Sequence, residues 1–535
     1  MRSLRQGFAF AVFDQPPKFA GGTGACGDET SPPLRARLNT SALQTLREVA
    51  RPRAAKHSGI LLLVVASALL ALVGCKVGPN YKPPELSAPA QWSSPLAGGV
   101  TNLPVAEATW WKNFRDPQLD SLIFRAVQSN RNLVVAGARV REARALRGVV
   151  AAGLWPTADA SGSYSRTRLS QNGFPEFPPN IVPFEDNVYQ VGFDAAWELD
   201  VFGGTRRAVE AARANEAAAA YARREVLVSL LGEVARNYVE ARGLQRRLVI
   251  AGENITSQSN SLGITKDRYE GGLATDLDVQ QAAALLATTE AQVPALETSF
   301  KAAAYHLGVL LGQPPGAVLD ELSNSVPIPA TPPEVPVGLP SELLRRRPDL
   351  QRAERQLAAA TAQIGVAVSD LFPKFSLTGD VGLQSVSVSD WFTAGSRFWS
   401  AGPMVQWRLL AAGKIRANIR VQNARQEQAL ANYEQASLNA MEDVENALTA
   451  YAKEQVRRRS LSAAVDASQQ ALQLANQLYE GGLVDFLRVL DAQRSLYQAQ
   501  DALVQSDLGV SLDLVSLYKA LGGGWEAAAR QVSQR

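Results

Sequence analysis

The 535-residue sequence predicts a mainly α-helical chain that also carries transmembrane β-strands and contains an internal duplication. Three observations predict this fold class. The pentapeptide YEGGL begins at Tyr269 and again at Tyr479, 210 residues later (479 − 269). Two stretches of 66 residues, 203–268 and 413–478, contain no proline. Several short segments elsewhere alternate apolar and polar residues, as strands with one buried face do.

A short apolar segment near the N-terminus is typical of a cleaved signal peptide. Arg51, Arg53 and Lys56 precede an apolar run of 14 residues from Ile60 to Val73. A membrane-spanning helix needs about 20 residues, so a signal peptide fits this run better. The alternative is a short buried helix that ends in a core cysteine, Cys75.

The end of this run, LVGC at positions 72–75, resembles the lipobox of bacterial lipoproteins. The resemblance implies that Cys75 carries acyl chains, such as palmitate, and that residues 1–74, an N-terminal extension plus the signal peptide, are removed. Lys76 is not the aspartate that retains lipoproteins in the inner membrane, which implies the outer membrane. Because about 50 residues precede the signal peptide, we expect translation to begin near Val49. We interpret 75–115 as a lipidated, extended tether.

The duplication extends well beyond the two YEGGL stretches. Further residue pairs are separated by 210 positions, or by 217 positions upstream of a Pro- and Asn-rich loop at 170–187. We therefore assign the first repeat to 116–312, a linker to 313–340, the second repeat to 341–522 and a C-terminal tail to 523–535. The pairs are Trp197/Trp407, Gly203/Gly413, Leu311-Gly312/Leu521-Gly522, Gly148/Gly365 and Leu154-Trp155-Pro156/Leu371-Phe372-Pro373.

Each repeat contains two alternating segments that predict strands. They are 157–168 and 188–199 in the first repeat, and 374–383 and 399–409 in the second. Alternation alone also fits the half-buried strands of a soluble sheet. Outer-membrane barrels have the same period, strands of about ten residues and aromatic residues at the interfaces. Together with the lipobox and the long helices, the pattern favours membrane-spanning strands.

The proline-free stretches predict two helices of unusual length, each about 99 Å at about 1.5 Å per residue. In the second stretch, apolar residues such as Tyr433, Val444 and Leu448 recur every three or four positions, which predicts coiled-coil-like packing. Pro294 is expected to kink or break the helix after the first YEGGL turn. Four glycines weaken the prediction that the first long helix is continuous: Gly232, Gly243, Gly252 and Gly263.

Four strands per chain cannot close a barrel. Unpaired backbone groups at strand edges cost several kcal/mol each in hydrocarbon, so closure requires further copies of the chain. Two copies would give eight strands, whose interior is filled by side chains. Three copies give a 12-stranded barrel with room for a passage. The sequence therefore predicts a homotrimer whose long helices continue the channel as a helical tube.

Composition excludes several other classes of function. A net charge of +3 is too small to favour nucleic-acid binding. The chain has only two cysteines and two histidines, so we expect no disulfide framework and no metal site; these residues are Cys26, Cys75, His57 and His306. The main part of the chain contains no GxGxxG, P-loop, GxSxG or HExxH motif. We expect neither a cofactor nor an enzymatic activity.

Three stretches together resemble the TolC/OprM-type outer-membrane factors, in the NodT-like lipoprotein branch. They are GPNYKPP at 78–84, RRPDLQRAERQLAAATAQIGVAVSDLFPKFSLTGDVG at 346–382 and YEGGLVDFLRVLDAQRSLYQAQ at 479–500. The resemblance implies a trimeric 12-stranded β-barrel in the outer membrane, continued by a periplasmic α-helical barrel. It also implies the passive exit duct of a tripartite RND-type efflux pump for small molecules such as drugs. The implied partners are a periplasmic adaptor and an inner-membrane RND transporter.

The same resemblance implies roles for residues near the two YEGGL turns. Leu487 matches an apolar ring and Asp491 an aspartate of the pore gate, whereas Arg488 stands where other members carry an acid. The alternative is that Asp491 pairs with Arg494 or Arg488 on a solvated helix face. The periplasmic tip would be formed by Tyr269, Gly271 and Gly272 in the first turn and by Tyr479, Gly481 and Gly482 in the second.

Two other functions fit many of the same residues. The outer-membrane duct of a type I protein secretion system would have the same architecture. A lipid-anchored coiled-coil structural protein would share the lipobox and the long helices, but it would have no barrel.

Overall fold

The computed structural model describes residues 76–85, 89–94, 96–103, 109–168, 170 and 185–526. Cys75, the signal-like segment before it and the residues from 527 onward lie outside the described residues, as does most of the predicted loop 170–187. Among the described helices, none combines the length and the apolar character needed to cross a membrane.

Helices make up most of the described chain. In chain order they are α1 (Pro117–Ser129), α2 (Arg131–Ala152), α3 (Gly204–Glu270), α4 (Asp276–Glu290), α5 (Val293–Leu310), α6 (Pro340–Arg346), α7 (Pro348–Ser369), α8 (Lys414–Glu480) and α9 (Phe486–Ala520). The strands are β1 (Val100–Thr101), β2 (Thr157–Arg168), β3 (Glu185–Leu199), β4 (Val335–Pro336), β5 (Lys374–Ser385) and β6 (Arg397–Gln406). The two repeats therefore present the same order of elements: a helix, two strands, a very long helix and a return helix.

One antiparallel sheet contains the strands of both repeats in the order β2-β3-β5-β6. The four predicted strands are present, but three have different ends, and β5 continues two residues beyond the prediction, to Ser385. β3 begins at Glu185, inside the predicted loop 170–187. The predicted strand 399–409 ends at Gln406. The next residue, Trp407, donates its indole N–H to a backbone carbonyl just after α7, at 3.1 Å, and the chain turns into α8 instead of extending the sheet.

The two long helices are continuous. α3 and α8 contain 67 residues each, about 100 Å at about 1.5 Å per residue. A Cβ at Gly232 would lie 3.3 Å from Lys519 and one at Gly243 would lie 3.0 Å from Leu508, so both glycines let α9 approach α3 closely. The predicted break at Pro294 is confirmed, because the first return helix divides into α4 and α5 whereas α9 is continuous.

The duplication is visible in the backbone conformation. Gly203 and Gly413 precede the two long helices, and both have φ of 77°. Gly312 and Gly522 follow the two return helices, and both have φ of 67°. Glycine adopts this left-handed region without the steric cost that a Cβ brings. The predicted duplication is confirmed by these matching turns.

The main helices pack side by side in the order α2-α3-α7-α8, with α9 against α8 and α3. The central helices are extensively buried, with 23 buried residues in α3 and eleven in α7. The outer helices are not, because α2 has two buried residues and α8 has seven over its 67 residues. The row therefore has two open sides, formed by α2 and α8.

The described part of the predicted tether is extended except for a 3-10 helix at Trp110–Phe114, and it packs along the helices instead of projecting from them. The indole N–H of Trp92 donates to the carbonyl oxygen of Gly338 at 3.0 Å. The Glu445 carboxylate accepts the backbone N–H groups of Ser93 and Ser94. Farther along, β1 pairs in parallel with β4 of the linker. The described part of the tether thus belongs to the packed body.

Candidate functional site

The two YEGGL turns have the same backbone structure. Each long helix ends in a glycine pair, and the second glycine has positive φ: 72° at Gly272 and 69° at Gly482. The N–H of Leu273 donates to Arg268 O at 2.7 Å, and the N–H of Leu483 donates to Leu478 O at 2.8 Å. This pattern closes a helix C-terminus and requires one left-handed residue. Gly271 and Gly481 have ordinary negative φ, so the reversal depends on the second glycine of each pair.

The turns differ in how the next helix begins. α4 starts with a capping box, in which Thr275 Oγ1 accepts the Asp278 N–H and Asp278 Oδ2 accepts the Thr275 N–H at 2.9 Å. α9 follows Asp485, which makes no side-chain cap. Arg488 occupies the position equivalent to Asp278, and its Nε lies 4.0 Å from Asp485 Oδ1. A capping box stabilises a helix start, so the second turn is the less firmly held.

Arg268 joins the two turns and was not singled out by the sequence. Its guanidinium lies 4.3 Å from the centre of the Tyr479 ring. Nη1 donates to Tyr479 O at 3.1 Å and Nη2 to Glu480 O at 3.4 Å. These carbonyls are among the last of α8, which lack the usual helical donor four residues later, and Tyr479 O also accepts the Gly482 N–H at 3.0 Å. Arg268 therefore ties the end of α3 to the end of α8 and places the turns side by side.

The environments of the two tip tyrosines differ. Tyr269 is about half exposed, at 48%. Tyr479 is half-buried, with its ring 5.2 Å from that of Phe486. Within the described part of the chain, the buried Tyr479 Oη has no hydrogen-bond partner. A buried hydroxyl without a hydrogen-bond partner costs free energy, so the burial of Tyr479 Oη destabilises this arrangement of the tip.

The proposed gate residues share one face at the start of α9. Leu487 is 44% exposed, although the neighbouring Phe486 and Val489 are buried against α4 and α8 residues. Asp491 lies one turn later, so both side chains point away from the chain's own core. The predicted alternative pairing is present in part, since Arg494 Nη1 lies 3.8 Å from Asp491 Oδ1. Both side chains are more than half exposed, and such a pair contributes little.

The four-stranded sheet has one apolar and one polar face. Tyr189, Val191 and Phe193 of β3 lie on the apolar face, as in a strand that faces lipid. The polar face carries a row of three acids, which the sequence alone did not reveal. Asp194 lies directly opposite Asp159 of β2 and Asp380 of β5. Like charges in directly opposite positions destabilise a sheet, so this row is unfavourable for folding by itself.

A cavity of about 700 Å³ lies between α3, α7, α8 and α9. Charged side chains of both signs line it, including Arg347, Asp443, Asp513 and Lys519. Burial, followed by the nearby Glu454 carboxylate, raises the pKa of Asp513 to about 6. Among the described residues, no group of three or more His, Cys, Asp and Glu side chains could hold a metal ion.

A sheet with one polar and one apolar face, continued by two helices of about 100 Å, fits the class of outer-membrane channels. Residues 122–313 and 339–523 match the outer membrane efflux protein family. Nodulation protein T of Rhizobium leguminosarum bv. trifolii is 33% identical over 463 residues, which cover 86% of this chain and 97% of that protein. The toluene efflux pump outer membrane protein TtgI of Pseudomonas putida is 34% identical over 470 residues, covering 86% and 98%.

The outer-membrane channel OprN has a similar solved structure, with a TM-score of 0.79 and 38% identity over 84% of this chain and all of that one. The chain therefore belongs to the outer membrane efflux protein family. It is an outer-membrane efflux channel and not an enzyme, as the sequence predicted. The predicted fold class, an outer-membrane channel with four strands per chain, a long helical extension and an internal duplication, is confirmed. So is the predicted location in the outer membrane, with a periplasmic part.

Proposed function

We propose that three copies of this chain close into one exit duct, which completes a tripartite RND-type efflux pump. The observation that carries this proposal is that the sheet and the row of helices are open on the same two sides of the chain. β2 and β6 are the edge strands. α2, which leads into β2, and α8, which follows β6, are the outer helices. Each side of the chain thus offers one unpaired strand and one exposed helix.

The two sides are different, so they fit a head-to-tail ring. An interface in which β2 and α2 of one copy meet β6 and α8 of the next is heterologous, and such an interface forms a ring when the rotation between copies closes. Closure pairs every strand edge, which a strand in hydrocarbon requires. Exposed apolar residues on both outer helices support the same contact: Val134, Val135, Leu146 and Val149 on α2, and Val421, Leu438 and Val456 on α8.

The tip turns are the proposed contact with the periplasmic adaptor, which would link the duct to an inner-membrane RND transporter. Leu273 is 79% exposed and Leu483 is 74% exposed, at equivalent positions of the two turns. Three copies would therefore present six apolar tips at one end of the tube. The relative TtgI is named for toluene efflux, and we propose small molecules, including drugs, as the exported class here.

The start of α9 is the proposed gate. In a trimer, three Asp491 side chains would surround a narrow axis, with a ring of Leu487 one helical turn away. Acidic rings favour cations, and apolar constrictions close by dewetting. Arg488, which stays exposed beside Asp485, would replace a second acidic ring by a basic one.

The proposed membrane attachment combines the barrel with acyl chains on Cys75. A hydrophobic barrel surface inserts the trimer, and the acyl chains add a second anchor to lipid. This residue lies outside the described part, and the proposal rests on the lipobox at 72–75.

Electron microscopy of the detergent-extracted protein tests the ring. We expect a threefold cylinder with a tube of about 100 Å below a membrane-embedded end. A monomer in which β2 and β6 remain unpaired would contradict the proposal. Co-purification with the adaptor, reduced by Leu273→Asp and Leu483→Asp together, tests the partner. The matched control is Val386→Asp, at an exposed position in the loop between β5 and β6.

A further inference from the structure

The buried guanidinium of Arg207 has no role in the proposed pore. Its side chain is 1% exposed and lies in the first turn of α3. Nε donates to Val77 O at 3.0 Å, and Nη2 donates to Gly78 O at 3.1 Å and Asn80 Oδ1 at 2.8 Å. A buried cation without partners is strongly unfavourable. Arg207 donates four hydrogen bonds, and three of the acceptors belong to the tether immediately after Cys75.

Two glycines shape the slot in which this part of the tether lies. Gly78 has φ of 84°, and a Cβ there would lie 2.5 Å from Gly365 Cα in α7. A Cβ at Gly365 would lie 2.8 Å from the Arg207 Cγ. The tether thus passes between α3 and α7, and the space there is too narrow for a side chain at Gly78 or at Gly365.

The residue next to Cys75 is also held in place. Lys76 Nζ pairs with Glu210 Oε2 at 3.0 Å, and the same oxygen accepts Arg207 Nη1 at 3.0 Å. The Val77 N–H donates to Phe202 O at 3.2 Å. Phe202 lies in the short connection between the end of β3 and the start of α3. The tether therefore begins at the inner end of the membrane-spanning strands.

We propose that Arg207, Glu210 and Gly365 form an anchor dock, which fixes where the acyl chains of Cys75 enter the membrane. Consecutive Cα atoms are 3.8 Å apart, so docking Lys76 restricts Cys75 to the foot of the barrel wall. A free tether would let the acyl chains insert anywhere within its reach. The dock instead holds them at one depth beside the strands. This inference rests on the lipidation proposed above.

The duplication supports a specific role for this slot. The position equivalent to Arg207 in the second repeat is Ala417 (207 + 210). The position equivalent to Gly365 in the first repeat is Gly148 (365 − 217), where a Cβ would meet nothing of its own chain within 4 Å. The chain has one tether, and its slot combines Arg207 of the first repeat with Gly365 of the second, whereas the equivalent pair, Ala417 and Gly148, has no guanidinium. The long helix itself therefore does not require these residues.

Hydrogen exchange of the detergent-solubilised full-length protein tests the dock. We expect the 76–82 peptide to be protected in the wild type, because the Val77 amide is hydrogen-bonded. Arg207→Ala and Gly365→Ala should accelerate its exchange by about tenfold or more. Gly252→Ala, the matched control at an exposed position of α3 where a Cβ would meet nothing within 4 Å, should leave it unchanged. Equal protection in all four proteins, or an unprotected wild type, would overturn the dock.

A second variant tests whether the dock positions the anchor. A Gly-Ser-Gly-Ser insertion between Cys75 and Lys76 keeps the dock but frees the lipid. We expect normal protection of 76–82 and a several-fold lower yield of trimer in the outer membrane. A yield equal to wild type would overturn the positioning role. The mass of the N-terminal peptide and a Cys75→Ser variant test lipidation separately. An unmodified Cys75 would refute the anchor while leaving the exchange result on the slot unaffected.

Discussion

Trp197 and Trp407 make the same hydrogen bond in the two repeats. The indole N–H of Trp197 donates to Leu154 O at 3.0 Å, and that of Trp407 donates to Leu371 O at 3.1 Å. Each acceptor lies two residues after the end of α2 or α7. Each bond therefore ties the inner end of a strand to the helix that precedes the sheet, at the junction between barrel and tube.

We expect Trp197→Phe and Trp407→Phe to destabilise the channel to a similar extent. Phenylalanine keeps most of the apolar surface but cannot donate the hydrogen bond, which is worth about 1 kcal/mol. Thermal unfolding of the detergent-solubilised protein should show a lower midpoint for each variant. Trp399→Phe is the control, because this side chain is 78% exposed on β6. Midpoints that match the control in both variants would show that the bonds do not stabilise the junction.

Residue spacing was sufficient to predict this architecture. The pairs Trp197/Trp407 and Gly203/Gly413 keep one offset, because both repeats need the same turn at the same place. Alternation predicted the four strands, since each has one face toward lipid. The strand ends were less predictable. Trp407 continues the alternating pattern beyond β6 although its indole binds back to the connection after α7.

The functional contacts were harder to predict because they depend on distant parts of the chain. Arg207 and Arg268 are two of many arginines in long helices, and nothing nearby in the sequence marks one as buried or as bound to a helix end. Asp194 lies in one of the alternating segments, but its alignment with Asp159 and Asp380 depends on strand register. Register is set by pairing across the sheet, which a single sequence does not contain.

Removing the two proposed gate side chains should open the pore. We expect Leu487→Ala combined with Asp491→Ala to raise single-channel conductance in planar bilayers, because both the apolar ring and the acidic ring are lost. The matched control is Leu277→Ala with Gln281→Ala, at the equivalent positions of the first repeat (487 − 210 and 491 − 210). If the double variant has the same conductance as the wild type, Leu487 and Asp491 do not form the gate.

Arg268 should hold the tip in its present arrangement. Arg268→Ala removes a cation–π contact, worth about 0.5–1 kcal/mol at an exposed site, and two hydrogen bonds to the end of α8. We expect more frequent opening events in planar bilayers, and faster hydrogen exchange confined to the second turn. Lys266→Ala is the control, since it removes an exposed cation two residues away on the same helix. If both variants have identical opening frequency, Arg268 does not restrain the tip.

Asp513 should make stability depend on pH. Burial and the nearby Glu454 raise its pKa from 3.8 to about 6 in the folded chain. The folded state therefore binds the proton more tightly, and stability falls as the pH rises from about 4 to about 6 and stays lower above that. We expect Asp513→Asn to raise the thermal midpoint at about pH 8 and to have little effect at about pH 4. Asp466→Asn, at an exposed position of α8, should show no such difference. An Asp513→Asn effect that is the same at both pH values would contradict this origin.

The acidic row on the sheet should set the ion preference of the barrel lumen. Asp159, Asp194 and Asp380 lie side by side on the polar face, where directly opposite side chains are about 5 Å apart. Three copies of the chain would place nine carboxylates at one level of the barrel (three times three). Mutual repulsion makes such a row costly for folding, whereas it attracts cations in a water-filled lumen.

Replacing all three acids by asparagine should lower the ratio of cation to anion permeability several-fold, as measured by reversal potentials across a salt gradient. The effect should be largest in dilute salt, because the Debye length is about 10 Å at 0.1 M and about 3 Å at 1 M. The control is Asp390→Asn, which removes a carboxylate from the loop between β5 and β6. Ions pass through the barrel and then through the tip, so a closed gate at the tip would mask the effect of the barrel. The measurement should therefore use the Leu487→Ala, Asp491→Ala double variant, in which the gate no longer limits the current. Unchanged selectivity there would show that the row does not face the conducting path.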